Sequence, residues 1–234
     1  MDFTFGLSAK EDNEEIINTI IDSIEDQRIP NYEVVIVGNC NICRDNTKVI
    51  PFNEDIKKGW ITRKKNILTE SAMYENIVYL HDYIKIDAGW YEGFLKFGVD
   101  FDVCMTRMLN KDGSRYRDWT LWAEDALRLG VDPYYFMLPY TVTDLTQYMY
   151  VSGAYWVGKK DFMLRHPLDE RLCWGHGEDV EWAKRVRTFW NYSMNTNSSV
   201  SLLKQKDVTF ELISDEYLSN IRRLQGVPGE DNSA

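Results

Sequence analysis

No apolar run in the 234-residue sequence approaches the ~20 residues that a membrane-spanning helix needs. The opening MDFTFGLSAKEDNEE lacks the basic start and apolar stretch of a secretory leader, so a cytoplasmic protein is expected. There is no long basic run either. With a formal net charge of −10, most of the surface would repel a phosphate backbone, which argues against a nucleic-acid partner. No G-x-G-x-x-G follows the first strand-like segment and no P-loop occurs anywhere, which sets aside dinucleotide-dependent oxidoreductases and P-loop hydrolases. A nucleotidyltransferase would carry a Gly-rich phosphate loop where this chain has GLSAKEDN. Cysteine is scarce, at four. Cys40 and Cys43 form a C-x-x-C with no second ligand pair for zinc and no helical pattern behind it for redox work, so the pair reads as two reduced thiols in a loop.

What is present is ordinary for a globular chain: 44% hydrophobic and 27% charged residues, with eight Trp and fourteen Tyr as flat amphipathic surface. FTFGLSA (3–9) reads as a strand. Ile16, Ile17, Ile20, Ile21 and Ile24 then recur at helical spacing, with Asp12 and Glu15 as a capping pair that starts the helix near Asn13. YEVVIVG (32–38) is a short continuous apolar run, as in a strand covered on both faces. Strand, helix, strand within forty residues is a βαβ unit with a parallel sheet. A helix follows over 61–73, a strand over 76–82, a helix over 88–98 and a strand over 101–109, closed by a Lys111-Asp112-Gly113 turn. Residues 114–147 are aromatic without a clean period and read as an insertion or covering segment. Strand chemistry returns at 148–160 and a helix at 178–190. The polar NYSMNTNSS precedes a last strand region, a helix follows over 214–225, and the tail 227–234 reads as disordered.

In an open α/β sheet, ligands bind beyond the carboxyl ends of the parallel strands. That rule gathers Ser8-Ala9-Lys10, Gly38-Asn39 and His81-Asp82-Tyr83 with the helix-opening Glu178-Asp179. Acids at a helix start gain about 0.3–1 kcal/mol each from the macrodipole. The macrodipole does not account for Trp174, which offers a flat face for a sugar ring, or for Gly175 and Gly177, which leave room for backbone to approach it. Val180, Ala183 and Val186 form an inward stripe that would anchor the first turn at the crevice edge.

The order FTFGLSAKEDNEEIINTI, EVVIVGN, GWITRKKNILTESAMYENIVYLHDYIKIDAGWYEGF and VSGAYWVGKKDFMLRHPLDERLCWGHGEDVEW resembles a GT-A glycosyltransferase. It is most similar to the large inverting family two of nucleotide-sugar-dependent enzymes. The likeness covers about residues 3–100 and 148–190. It implies a single α/β, Rossmann-like GT-A domain over 1–226, with a mostly parallel central sheet flanked by helices and an aromatic-rich insertion. The nucleotide-binding half would be about 1–100 and the acceptor and catalytic half about 101–226.

The implied activity is inverting, hexosyltransferase-type transfer of a monosaccharide from a nucleotide-diphosphate sugar to a hydroxyl of a glycan or glycoconjugate, as in polysaccharide biosynthesis. In that family Ser8 to Glu11 would hold base and ribose, and Asn39 stands where an aspartate usually reads uracil. Lys65-Asn66 matches the family's Arg-Asn, where a cation meets the nucleotide; the alternative for Lys64 and Lys65 is a solvated helix face. His81-Asp82-Tyr83 falls on the acidic motif for Mn²⁺ or Mg²⁺, keeping Asp82 as metal ligand while Tyr83 replaces the second acid, with weaker metal dependence as the alternative. The late histidine of relatives is missing from KQKDVTFEL. Asp82 alternatively caps the following turn. Asp179 would be the general base and Glu178 would orient sugar hydroxyls. Gly153 matches the small residue near the donor sugar, or marks a bulge. His176 meets the leaving phosphate or serves the turn, and His166 reads as structural. The aromatic segment 115–140 would shape the acceptor site. Tyr83 also motivates a second reading, a catalytically silent nucleotide-sugar or glycan binder.

Overall fold

The computed structural model describes residues 1–10, 13–122, 136–206 and 210–226. In chain order the elements are β1 (Phe3–Ser8), α1 (Glu14–Glu25), β2 (Tyr32–Val37), β3 (Thr47–Ile50), α2 (Ile61–Ser71), β4 (Asn76–His81), β5 (Ile84–Ile86), α3 (Trp90–Phe97) and β6 (Val103–Leu109). There follow β7 (Thr120–Leu121), β8 (Phe136–Met137), β9 (Met149–Tyr150), β10 (Tyr155–Lys159), α4 (Lys160–Arg165), α5 (Glu178–Val186), β11 (Tyr192–Leu202), β12 (Glu211–Leu212) and α6 (Asp215–Gln225).

The main sheet runs β3-β2-β1-β4-β10-β6-β11-β5. Every residue of β1 and β4 is buried, as their unbroken apolar runs require of strands covered on both faces. The pairings β3–β2, β2–β1, β1–β4 and β6–β11 are parallel; β4–β10, β10–β6 and β11–β5 are antiparallel. The register Val37, Ser8, His81 therefore aligns three carboxyl ends at one edge. Antiparallel β10 brings its amino end, with Gly153 and Ala154 just before it, to that same edge, where Tyr155 faces Leu80. β6 and β11 again point their carboxyl ends there.

α1 covers the sheet with Ile17, Ile20, Ile21 and Ile24, four of the five isoleucines read from the sequence, while Ile16 is half-buried. Asn13 precedes the helix without capping it, and its side chain is diverted to Asp82. Asp12 of the expected capping pair lies outside the described residues. The C-x-x-C cysteines are free.

Three departures from the sequence reading have physical causes. NYSMNTNSS is part of β11 rather than a stretch before it. Its polar residues are paid for by a bulge between Asn195 and Ser199, where Asn195 Nδ2 donates to Ser198 Oγ (2.9 Å) and Ser198 Oγ donates to Trp90 O (2.7 Å). α5 stops at Val186, four residues early, because Arg187 to Trp190 turn so that Trp190 packs on Tyr192 at 4.3 Å between ring centroids. The aperiodic aromatic segment contributes to a second sheet, β12-β8-β7-β9, in which Trp119 is fully buried against Tyr192 and donates from Nε1 to Val142 O (2.9 Å). Trp119 is therefore core and unavailable to a sugar. Residues 123–135 of the same segment lie outside those described. No helix among the described residues is long and apolar enough to cross a membrane.

Candidate active site

Ser8 and His81 end neighbouring strands, and both are buried with a polar atom left over: Ser8 Oγ and His81 Nε2 have no protein partner among the described residues. Buried groups of this kind are normally satisfied, so a ligand or solvent is the missing partner. Asp82 is buried too and turned toward the end of β1. Its Oδ2 accepts from the Lys10 amide (3.1 Å) and from Asn13 Nδ2 (3.0 Å). Asp82 thus ties the β1–α1 connection to the β4–β5 corner. Burial holds the His81 imidazole well below its ordinary value, reinforced by Lys65, Lys206, Lys10 and Arg117, so the ring is neutral. Burial likewise raises the Tyr83 phenol far above its usual value. The loop after β11 is pinned here by Leu203 N–H donating to Tyr83 O (2.9 Å), which sets Lys204 Nζ 4.4 Å and Lys206 Nζ 4.5 Å from the Tyr83 ring centroid.

The two acids sit opposite. Gly177, in the left-handed region at φ 67°, turns the chain into α5. Glu178 and Asp179 in its first turn are only 5% and 4% exposed. Asp179 Oδ2 accepts from Arg117 Nη2 (2.6 Å) and from the Gly153 amide (2.8 Å), while Oδ1 accepts from the Val180 amide (2.9 Å). Gly153 is small for this reason: a Cβ there would lie 2.9 Å from Asp179 Oδ2 and 3.2 Å from Glu178 Oε1. The close approach at Gly153 is thus made by these two carboxylates, where the sequence reading had a donor sugar or a bulge. Glu178 differs from its neighbour. Among the described residues its carboxylate takes a hydrogen bond from its own amide alone, and burial raises its proton affinity against the pull of Lys65.

Lys65 is fully buried beneath both acids. Its Nζ donates to Gly153 O (2.8 Å) and lies 4.5 Å from the Trp156 ring centroid. Lys64 is buried as well, donating to Ala9 O (2.6 Å) and pairing with Glu54. The solvated-face alternative for these lysines is overturned, because α2 packs against β1, β2 and α4 and both ammonium groups are taken up by buried carbonyls. Asn66 clasps the backbone of Leu168 on both sides, at 3.0 Å each.

Of the remaining expected residues, Asn39 is exposed and its Oδ1 accepts from the Phe52 amide (3.1 Å). Trp174 is 70% exposed, a free face beside Gly175 (φ 84°). The protein does not crowd Gly175 or Gly177; their left-handed φ is what requires glycine. His176 is exposed and its Nδ1 accepts from the Cys173 amide (3.3 Å). It also lines a groove of ≈ 500 Å³ with Trp122, Gly177, Val180, Glu181, Lys184 and Arg185. Glu11 lies outside the described residues.

Sequence reasoning missed Arg117, Lys204 and Lys206. Arg117 stands in RYRDW, where no period marks it, and its φ of 42° is unusual for a residue with a side chain. Asp118 holds it there. That fully buried carboxylate accepts from the Met108 and Trp119 amides, from Arg115 and from Tyr140 Oη (2.6 Å), which locks the loop to β6. Among the described residues no three His, Cys, Asp or Glu side chains cluster to hold a metal. Around Asp82 the donors are one carboxylate with Oδ2 engaged, a neutral phenol and an imidazole ringed by cations. That set does not fit a divalent ion.

No protein-family model matches the chain, and no curated protein matches it in sequence. Among solved structures, residues 1–349 of S. aureus TarS in complex with UDP-GlcNAc superpose with a TM-score of 0.61 at 16% identity, covering 97% of this chain and 66% of that one. GalNAc-T7 with UDP, GalNAc and Mn²⁺ superposes with a TM-score of 0.62 at 13% identity, covering 97% of this chain and 48% of that one. The chain thus spans just under two thirds of the first and about half of the second. At such identities the likeness is one of backbone, and with the strand order and the edge described above it establishes that this chain has the GT-A fold.

Proposed function

We propose that the protein transfers a monosaccharide from a nucleotide-diphosphate sugar to a hydroxyl of a glycan or glycoconjugate, with inversion at the anomeric carbon. The observation that carries this reading is the burial of Asp179 at the strand-tip edge. It is anchored there by Arg117 and the Gly153 amide, on the same edge as Ser8 and His81 with their unpartnered atoms. The donor's nucleotide lies along the tips of β1, β2 and β4, and its sugar reaches toward Gly153. The acceptor hydroxyl enters past the exposed face of Trp174. Its oxygen attacks the anomeric carbon, and the bond from that carbon to the diphosphate oxygen breaks with its electron pair going to the diphosphate. The hydroxyl proton passes to Asp179. The Arg117 and amide contacts hold this carboxylate in orientation; Oδ2 accepts from two donors, and Oδ1, which accepts from one, retains a lone pair for the incoming hydroxyl. Lys65, beneath the pair, offsets the charge of two adjacent acids.

One observation favours a second assignment within the same function: Glu178 has the raised proton affinity and almost no protein hydrogen bonds, the features of a proton acceptor. The two assignments separate in a panel of nucleotide sugars scored for release of nucleoside diphosphate. With Asp179 as base, Asp179→Asn abolishes turnover while Glu178→Gln retains part of it. The reverse ranking moves the proton to Glu178. Tight binding of a nucleotide sugar without turnover, across donors and acceptors, favours the silent binder.

A further inference from the structure

We infer that the departing diphosphate is neutralised by the protein's own cations, Lys10, Lys204, Lys206 and Arg117, gathered around His81 and Tyr83, so that donor binding and transfer need no divalent ion. The inference rests on the donor reading above and identifies what holds the donor's charge. Five observations meet at one place. The acidic corner has one carboxylate, and Oδ2 of that carboxylate is spent on joining β1 to β4. The pinned loop after β11 sets two ammonium groups over the single Tyr83 ring, at 4.4 and 4.5 Å from its centroid. These cations are close enough to one another that Lys204, Lys10 and Arg117 each make Lys206 easier to deprotonate, after the larger effect of its own partial burial. Among the described residues no carboxylate pairs with Lys10, Lys204 or Lys206. Gathering the three lysine charges without a paired carboxylate costs stability, and an anionic ligand removes that cost. Finally, the unpartnered His81 Nε2 and Ser8 Oγ add polar atoms at the strand tips on the same edge. A diphosphate supplies what this arrangement lacks: anionic oxygens that accept charge-assisted hydrogen bonds. A divalent cation would enter beside four protein cations, against which Asp82 and Glu178 are the acids that act at Tyr83.

The experiment is titration calorimetry of the whole chain with UDP and with GDP, in EDTA and in Mn²⁺. Wild type is compared with Lys204→Ala/Lys206→Ala and with Lys204→Arg/Lys206→Arg. Lys204 is exposed and Lys206 only half-buried, so both variants should fold, which circular dichroism checks. At least one nucleotide should bind equally well in EDTA and in Mn²⁺. The alanine pair should weaken it at least ~tenfold and the arginine pair should restore it, since hydrogen bonds to charged groups are the strong ones. Binding that vanishes in EDTA and returns with Mn²⁺, or that the alanine pair leaves unchanged, overturns the inference while leaving the donor reading intact. Failure of both nucleotides to bind wild type under either condition overturns the two together.

Discussion

Replacing Arg117 by Gln tests the arrangement of the site most directly. The pair it forms with Asp179 is buried, with side chains 14% and 6% accessible and 2.6 Å between Nη2 and Oδ2. Removing one partner of such a pair strands the other charge in the interior, at a typical cost of 3–5 kcal/mol. Asp179 keeps the Gly153 and Val180 amides and the nearby Lys65 charge, so the low end applies and the expected loss is about 3 kcal/mol. Asp179→Asn in the same chain removes the stranded charge and leaves an oxygen for the Gly153 amide. The double variant should therefore be more stable than Arg117→Gln alone. Urea unfolding at neutral pH, followed by the fluorescence of the eight Trp residues, measures all four corners of the cycle. A loss under about 1 kcal/mol for Arg117→Gln, or single losses that simply add to within ~0.5 kcal/mol, would show that the two side chains do not meet in the folded protein.

Three further outcomes follow from the same geometry. Gly153→Ala forces a Cβ to within 2.9 Å of Asp179 Oδ2; it should destabilise the fold by ~1–3 kcal/mol and cut transfer in the nucleotide-release assay, whereas unchanged activity would move Asp179 out of the reaction. Glu178→Gln should stabilise the protein at pH 7. The raised Glu178 value means that the folded state binds its proton more tightly than the unfolded chain does, so stability falls as pH rises above the ordinary value of 4.5. The benefit of the substitution should disappear below that pH in thermal melts, and a gain that is constant with pH refutes the assignment. Gly93→Ala places a methyl group 2.6 Å from Asn197 O in the β11 bulge; a loss of ~1–3 kcal/mol by urea unfolding is expected, and tolerance would mean that α3 does not pack on the bulge.

The βαβ start of the fold was legible because strands buried on both faces leave unbroken apolar runs, and because the α1 isoleucines have nowhere to point except inward. Glu178 and Asp179 drew attention for a different reason: two glycines and a Trp ahead of a helix are poorly explained by helix stability alone. Arg117 did not. Its position depends on Asp118, whose five donors come from β6, the loop itself and Tyr140, and no local pattern records such a set. β3 and β5 escaped notice because strands of four and three residues carry too little alternation to register. β11 escaped because a bulge satisfies polar residues internally, so a core strand reads as a polar linker. The lysines after β11 were read only as the absence of a histidine. Their meaning appears once Leu203 is seen bonded to the Tyr83 carbonyl.

Charge is what joins these separate observations. The chain carries a net charge of −10, yet four cations converge on the β4–β5 corner and two acids face the Gly153 turn. The separation follows from topology. β1, β4, β6 and β11 all present carboxyl ends at one edge, so the loops that follow them bring Lys10, Tyr83, Arg117 and Lys204 together from four parts of the chain. β10 runs the other way, so the segment before it, at Gly153, closes the same edge and receives α5. Arg117 belongs to both halves, pairing with Asp179 while adding to the field around His81 and Tyr83. An anion arriving at the cationic half would compete with Asp179 for that guanidinium.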